Sequence, residues 1–481
     1  MIAPAPQPGT GTLPAQYKPG NRGRVSLWLA AASGALGGLL FGYDWVVIGG
    51  AKPFYELYFH LNSPELQGWA MSCALIGCLL GAVTAGALSD RFGRKRLLRL
   101  AAFVFAVSSV GTGMAAQFTA FVVWRILGGC AIGLASGISP MYIAEISPAH
   151  ARGRLVSLNQ MALVIGILMA QVMNWLIARP VPAGATPAEI LLSWNGQLGW
   201  RWMFAVTALP AALFFVTTFL VPESPRWLAS KGREQEALQV LEKLSGPEYA
   251  RHVLDEVRAA SSLEPRVSIF RELAAPGVAR ALLLGIALAV LQQWCGINVI
   301  FNYAQEIFAA AGYQISGILF NIVITGAVNV LFTVAALATI DRLGRRFLLL
   351  TGAAGLALIY IVLGAFYRLH LHGLPMLILV LAAIACYAMS LAPATWVVIA
   401  EIFPNRIRGS AVSIAVTFLW IACFVLTYTF PWLNAKLSTA GVFWTYAAIC
   451  LVGLVYLLIR LPETRGRSLE EIETGLFTGK L

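Results

Sequence analysis

Twelve apolar runs of roughly twenty residues punctuate the chain, near residues 27–50, 67–88, 97–115, 119–139, 155–177 and 200–221, then 279–302, 316–340, 347–366, 374–401, 409–433 and 441–461. At 1.5 Å per helical residue each run crosses a ~30 Å hydrocarbon layer, so the pattern predicts twelve transmembrane helices. The runs are continuous, not alternating, and too long for the roughly ten-residue strands of a membrane barrel. An all-α membrane protein is what remains.

Composition agrees. The 481 residues are 59% hydrophobic and 12% charged, against about a quarter charged in ordinary globular domains, so the apolar surplus must face lipid. A net charge of +12 raises the question of nucleic acid, but the distribution of the basic residues answers it. Of 34 Lys and Arg, 28 fall in the N-terminal tail and in alternate connecting segments, five fall in the other loops, and Arg125 lies inside a span. That asymmetry places both termini in the cytoplasm, gives a multi-pass protein of the cell's inner (cytoplasmic) membrane, and leaves no nucleic-acid partner to expect. No basic stretch precedes a short apolar segment with a cleavage site near the start, so the first span is expected to direct insertion. All seven cysteines fall inside spans, where a thiol behaves as a small apolar group, and no disulfide is implied.

Three charged signatures occur twice at nearly constant separation. Asp90-Arg91-Phe-Gly-Arg94-Lys95 follows the second span and Asp341-Arg342-Leu-Gly-Arg345-Arg346 the eighth, an offset of 251. Glu145 with Arg152 and Arg154 follows the fourth, and Glu401 with Arg406 and Arg408 the tenth, an offset of 256. Pro222-Glu223-Ser-Pro-Arg226 ends the sixth, and Pro462-Glu463-Thr-Arg465 the twelfth. A duplicated six-helix unit explains all three. The chain therefore divides into a cytoplasmic tail (1–26), a six-helix bundle (27–221), a cytoplasmic helical linker domain (222–278), a second bundle (279–461) and a cytoplasmic tail (462–481). In the linker, Ala237, Leu238, Leu241 and Leu244 form one face of an amphipathic helix over Arg233 to Leu244. Ser468 and Glu471 mark a capped helix in the last segment.

Together, Pro222-Glu-Ser-Pro-Arg226, Pro462-Glu-Thr-Arg465, the two Asp-Arg-x-Gly loops and Gln292-Gln293-x-x-Gly296-x-Asn298 give the whole chain its resemblance to the sugar porter family of the major facilitator superfamily. The resemblance implies two pseudo-symmetric six-helix bundles, a sugar site at the midplane between them, and alternating access by rocking of the halves. Beside that picture the repeated charges form a conformational latch that bridges helix ends: Asp90, Arg91, Arg94, Glu145, Arg152, Glu223 and Arg226 in the first half, and Asp341, Arg342, Arg345, Glu401, Arg408, Glu463 and Arg465 in the second. The plainer alternative for the arginines is the positive-inside rule; acidic residues contribute little to topology, so the repeated Asp and Glu are not explained that way.

Ionisable groups at bilayer depth are functional suspects. The spans as bounded above hold two deep charges, Asp44 and Arg125. Each lies six residues from the outer end of its span, roughly 9 Å deep, so the pair can meet across the first half. A carboxylate in a dehydrated cavity takes up a proton more readily when a neighbouring arginine withdraws, which makes the pair a proton-coupling switch. The family resemblance points the same way, since proton-coupled sugar porters have this Asp and Arg while facilitative glucose carriers have Asn in place of the Asp. A static buried salt bridge is the competing reading. No histidine lies within a span, so a histidine relay is not expected.

The repeat aligns Phe41-Gly42-Tyr43-Asp44 with Cys295-Gly296-Ile297-Asn298, an offset of 254, placing charge in the first half and an amide in the second. Sugar hydroxyls donate and accept at once, so they call for Gln or Asn together with an aromatic face. Gln292, Gln293 and Asn298 supply the amides, and Gly296 permits a helix break between them. The resemblance adds Gln160, Asn329, Trp396 and Trp420 as sugar contacts. Amides bonding between helices, and tryptophans filling the interior, remain the structural alternative. Asn302-Tyr303 stands where many relatives have paired tyrosines, which is expected to loosen the outer gate. Ile167, seven residues after Gln160, is similar to glucose carriers, whereas the xylose symporter has Gln there. A proton-coupled monosaccharide symporter follows, with a hexose such as glucose first in line. It works as a monomer in the lipid bilayer, with no cofactor and no metal. The alternative is an uncoupled sugar uniporter, and Asp44 discriminates the two. A membrane enzyme is disfavoured, because the spans hold neither a metal-ligand cluster nor a nucleophile–base pair.

Overall fold

A computed structural model describes residues 21–148, 151–182, 184–247, 250–251, 253–254, 276–403 and 407–462, and every regular element among them is helical. Five crossings of the first half are single helices: α1 (Asn21–Tyr58), α2 (Pro64–Phe92), α3 (Arg94–Met114), α4 (Phe118–Ile146) and α5 (Arg152–Ile177). The sixth is pieced together. After the short α6 (Pro187–Leu192) come a π-helical turn (Asn195–Gly199), α7 (Trp200–Ala205) and α8 (Ala208–Leu220). Local signals set the ends. The Ser63 hydroxyl accepts from the Leu66 N–H, and Pro64 follows at the first turn, where its missing donor costs nothing.

The second half is more broken. Its first crossing comprises α11 (Pro276–Trp294), α12 (Ile297–Asn302) and α13 (Ala304–Ala310). Then follow α14 (Ile315–Leu343), α15 (Arg345–Arg368), and a crossing split into α16 (Leu374–Met389) and α17 (Leu391–Glu401). The split falls at Ser390, three residues before Pro393, which lacks the N–H that would carry the helix ladder through the break. Last comes α18 (Arg408–Arg460), 53 residues long. At 1.5 Å per residue it extends about 80 Å, more than twice a hydrocarbon layer of ~30 Å. Ser438, with φ 63° and ψ 166°, leaves the helical region and divides it into two crossings. Eleven long apolar stretches among the described residues thus make the twelve crossings that hydropathy predicts.

Large apolar side chains such as Leu220 and Val452 are exposed on the flanks, the arrangement lipid requires. Inside the first half, α2 and α4 interlock through two glycine pairs four residues apart. A Cβ on Gly77 or Gly81 would stand 2.1 or 2.2 Å from the carbonyl oxygens of Ile126 and Cys130, and one on Gly129 or Gly133 would stand 2.0 or 2.2 Å from those of Ala74 and Cys78. Small residues at this spacing let helix backbones touch, the packing available where no hydrophobic force drives helices together in lipid. The two bundles meet along α1 against α12 and α13, α2 against α18, and α5 against α14.

In the linker, α9 (Pro225–Ser230) and α10 (Glu234–Ser245) are described. The amphipathic face buries Ala237, Leu241 and Leu244 as its spacing predicts, with Leu238 partly covered. Trp227, Leu228, Ala237 and Leu254 form a small core there. Residues 255–275, the capped helix expected near Ser468, and Glu463 and Arg465 lie outside the described residues, as do the side chains of Asp341 and Arg408.

One boundary is corrected. The first span, expected to stop at residue 50, runs on as helix to Tyr58, so Lys52 and Glu56 are helix residues and not loop residues. Lys52 is 3% exposed. Asp44 and Arg125 are therefore not the only buried charges of the helical core. Hydropathy stops at the first charge; the helix continues because that charge has partners.

Candidate functional site

Asp44 on α1 and Arg125 on α4 meet: Arg125 Nη1 donates to Asp44 Oδ1 at 2.5 Å, with both residues buried. Taking two charges out of water is expensive, and a close charge-assisted bond offsets part of that cost. The Arg125 guanidinium also lies over the Phe204 ring, 5.4 Å from its centroid, while its Nε has no partner within the protein. The pair opens onto a narrow cleft whose wall includes Phe41, Trp45, Ile48, Met71 and Asn302.

Across the cleft the halves touch through aromatic rings. Trp420 on α18 packs against Phe41 at 5.5 Å and Trp45 at 6.3 Å, the residues that bracket Asp44 on α1. Its indole Nε1 is buried without a partner in the protein, as are Oδ1 of Asn302 and Oε1 of Gln171. Buried donors and acceptors are normally paired, so these three atoms at the interface between the halves are available to bond a polar ligand.

The three amides of the Gln-Gln-x-x-Gly-x-Asn motif form a ladder. Asn298 Nδ2 donates to Gln293 Oε1 at 2.5 Å, Gln293 Nε2 to Gln292 Oε1 at 3.5 Å, and Gln292 Nε2 to the carbonyls of Ala392 and Leu391 at 3.3 and 3.4 Å. Those carbonyls belong to the α16–α17 break, so two interrupted helices are tied to each other. Gly296 makes the first interruption. Its φ of 85° is accessible to glycine, and a Cβ there would stand 2.7 Å from the Tyr446 ring. Of the other expected sugar contacts, Gln160 is half-buried on α5, Asn329 buried on α14, and Trp396 on α17 is 38% exposed. None of these three is hydrogen-bonded to the ladder or in ring contact with Trp420 among the described residues.

The repeated charges cluster at one end, the basic face. Arg94 pairs with Glu145 at 2.9 Å and Asp90 at 3.0 Å. Glu223 accepts from the N–H groups of Arg94 and Lys95, each at 3.0 Å, placing a carboxylate at the N-terminus of α3, where the helix dipole favours it. Trp227 Nε1 donates to the Asp90 carbonyl, and the Tyr142 hydroxyl to that of Pro222. The second half repeats the motif: Arg345 pairs with Glu401 at 3.2 Å. Gly93 and Gly344 make the equivalent turns at φ 94° and 88°. Arg91, Arg226 and Arg342 are exposed and Arg152 is half-buried. Every basic-face ion pair among the described residues joins elements of the same half.

At the opposite end the halves are pinned together. Lys52 on α1 donates to Glu306 on α13, Gln171 Nε2 on α5 reaches Thr325 Oγ1 on α14 at 3.4 Å, and a Cβ on Gly68 of α2 would stand 2.2 Å from the Tyr428 carbonyl oxygen of α18. Tyr303, the tyrosine that remains where relatives have two, is fully buried, donates to the Thr427 carbonyl at 2.6 Å and packs on Phe430 at 4.3 Å. The molecule is thus closed at the face away from the basic loops. Lys52, Glu306 and Gln171 escaped the sequence reading as site residues, and Asn302 entered it only as the departure expected to loosen the outer gate. Four residues separate Lys52 from Glu56, the one local hint that its charge is held within a helix.

Paired six-helix bundles with broken helices at their interface and a deep charge pair define a secondary transporter of the major facilitator fold, not an enzyme. The family described as Sugar (and other) transporter matches residues 30–476, and the chain belongs to that family. It is 37% identical to the D-xylose-proton symporter of Escherichia coli (strain K12) over 469 residues, covering 91% of this chain and 93% of the relative. It is 38% identical to the glucose transport protein of Synechocystis sp. over 457 residues, covering 92% and 96%. The partially occluded inward open conformation of the xylose transporter from E. coli matches with a TM-score of 0.81 at 34% identity, covering 92% of this chain and all of that one.

Proposed function

We propose that this sugar transporter carries a monosaccharide, with a hexose such as glucose favoured, together with a proton across the cytoplasmic membrane by alternating access. The basic face with both termini lies in the cytoplasm, and the protein acts as a monomer. The observation that carries the reading is the buried Asp44–Arg125 pair on a cleft whose α1 wall, Phe41 and Trp45, packs on Trp420 of the other half. A shift of α1 that separates Asp44 from Arg125 frees the carboxylate of its partner and makes it the carrier of the coupled proton. Protonation at Asp44 and sugar contact at Trp420 then act on opposite sides of one packed interface. Relatives named for xylose and for glucose support monosaccharide transport in general; Ile167, buried on α5, is what favours a hexose.

The amide ladder holds the sugar hydroxyls from the second half, with Gln160, Asn329 and Trp396 completing the set. The charged clusters of the basic face hold each half's helix ends as rigid units, and the same charges latch that face when it closes. Uptake of labelled sugars into proteoliposomes tests the reading. Accumulation above equilibrium driven by an acid exterior, greatest for glucose among hexoses and pentoses, is the expected result; equilibration alone, whatever the gradient, makes the protein a uniporter.

A further inference from the structure

Away from the sugar and proton sites, a buried lysine and two half-buried glutamates meet where α1 of the first half faces α13 of the second. Lys52 donates across the halves to Glu306 and along its own helix to Glu56, with its Nζ 3.1 Å from Oε2 and 3.0 Å from Oε1 of Glu56. Its ammonium lies 5.5 Å from the Tyr303 ring centroid. One oxygen of Glu306 is buried with no hydrogen-bond partner in the protein. Two carboxylates thus share one ammonium, and only one of them moves with the opposite half.

We infer that Lys52, Glu56 and Glu306 form the gate that closes the face opposite the basic loops, with Glu56 as the partner that keeps Lys52 paired when the gate opens. The inference rests on the alternating-access reading. Opening must carry α13 away from α1, which breaks Lys52–Glu306 and releases Glu306 toward water. Lys52 then falls back on Glu56, four residues along the same helix, and is not left as an unpaired buried charge, the outcome that makes breaking a buried pair costly. Glu306 stabilises the closed state alone, whereas Glu56 serves both states and is the sole partner in the open one. Neutralising the two glutamates therefore shifts the equilibrium in opposite directions, something a merely structural ion cluster does not do.

The test uses the full-length protein in proteoliposomes with its seven native cysteines replaced and a reporter, Ile48→Cys, placed one helical turn below Lys52 on the cleft wall. A membrane-impermeant maleimide is applied at the outer face. Glu306→Gln is expected to label about five- to tenfold faster than the parent, and Glu56→Gln slower by a similar factor, the range of a typical coupling free energy. The exchange Lys52→Glu with Glu306→Lys restores the inter-half pair but leaves two carboxylates side by side on α1 when the gate opens, so labelling is expected to fall to the parental rate or below it. Equal or same-direction responses of the two glutamine variants overturn the proposal, as does an exchange variant that labels like Glu306→Gln. Saturating D-glucose or D-xylose added to the parent separates the two levels of failure. If neither changes the labelling rate, alternating access itself is at fault; if either does while the glutamates have no opposed effect, only the gate is.

Discussion

Gly42 and Gly296 occupy equivalent places in the two halves, 254 residues apart, and serve opposite ends. Gly42 sits within the unbroken α1, and a Cβ there would stand 1.8 Å from the Leu163 carbonyl oxygen of α5; Gly166 on α5 returns the contact, 2.1 Å from that of Leu39. Gly296 sits at φ 85° and ends a helix. The neighbouring pair diverges in step. Two residues beyond Gly42 stands Asp44, locked to Arg125, while two beyond Gly296 stands Asn298 at the head of the amide ladder. Duplication has kept the residue and changed its physical use. The first half holds its charge on an unbroken α1 packed closely against α5, and the second holds its amides around the break after α11.

The largest effect expected from breaking this contrast is at Arg125. Arg125→Ala leaves Asp44 buried without its partner and is expected to lower stability by about 3–5 kcal/mol. The double variant with Asp44→Asn should recover much of the loss, as thermal unfolding of the four proteins in a double-mutant cycle will measure. Next come the glycines. Gly42→Ala forces α1 from α5 and is expected to destabilise by about 1–3 kcal/mol with transport falling in proportion to folded protein. Gly296→Ala, strained at its φ by roughly 1–2 kcal/mol, is expected to slow transport beyond its effect on stability, because it stiffens a joint. If both variants alter stability and rate in the same ratio, the contrast between the packed glycine and the jointed one is wrong.

A smaller effect is expected at the ladder. Gln293→Ala removes one amide and should raise the half-saturating sugar concentration about three- to tenfold, the worth of one hydrogen bond, with proton coupling intact. Smallest is Glu401→Gln, which loosens Arg345 at the basic face and is expected to favour the inward-open state by a few-fold. A cysteine reporter in the cavity open to that face will label faster if so, and unchanged labelling removes Glu401 from the latch.

The crossings were legible because lipid imposes one rule on every residue of a span: length and apolarity suffice to count twelve, even where Ser390 or Ser438 interrupts the helix. The equal depth of Asp44 and Arg125 was legible for the same reason, since a fixed rise per residue converts sequence position into height. What escaped were features that depend on lateral contact. Hydropathy treats Lys52 as the end of a span, and only Glu306, 254 residues away and on the other half, explains why it is buried. Trp420 is marked by resemblance, but its packing on Phe41 and Trp45 follows from how two bundles dock, which no local pattern encodes. Ser438 at φ 63° has no local turn signature, and the flanking apolar runs alone reveal that the chain reverses there.

The central claim is that the first half's charge couples sugar movement to protons, and one comparison tests it most directly. Proteoliposomes carrying the unaltered protein or Asp44→Asn are given an acid exterior, and net uptake and counterflow exchange of labelled glucose are measured side by side. Coupling at Asp44 predicts that the unaltered protein accumulates sugar above equilibrium, while the variant loses accumulation and keeps exchange. Accumulation that persists in Asp44→Asn contradicts the account.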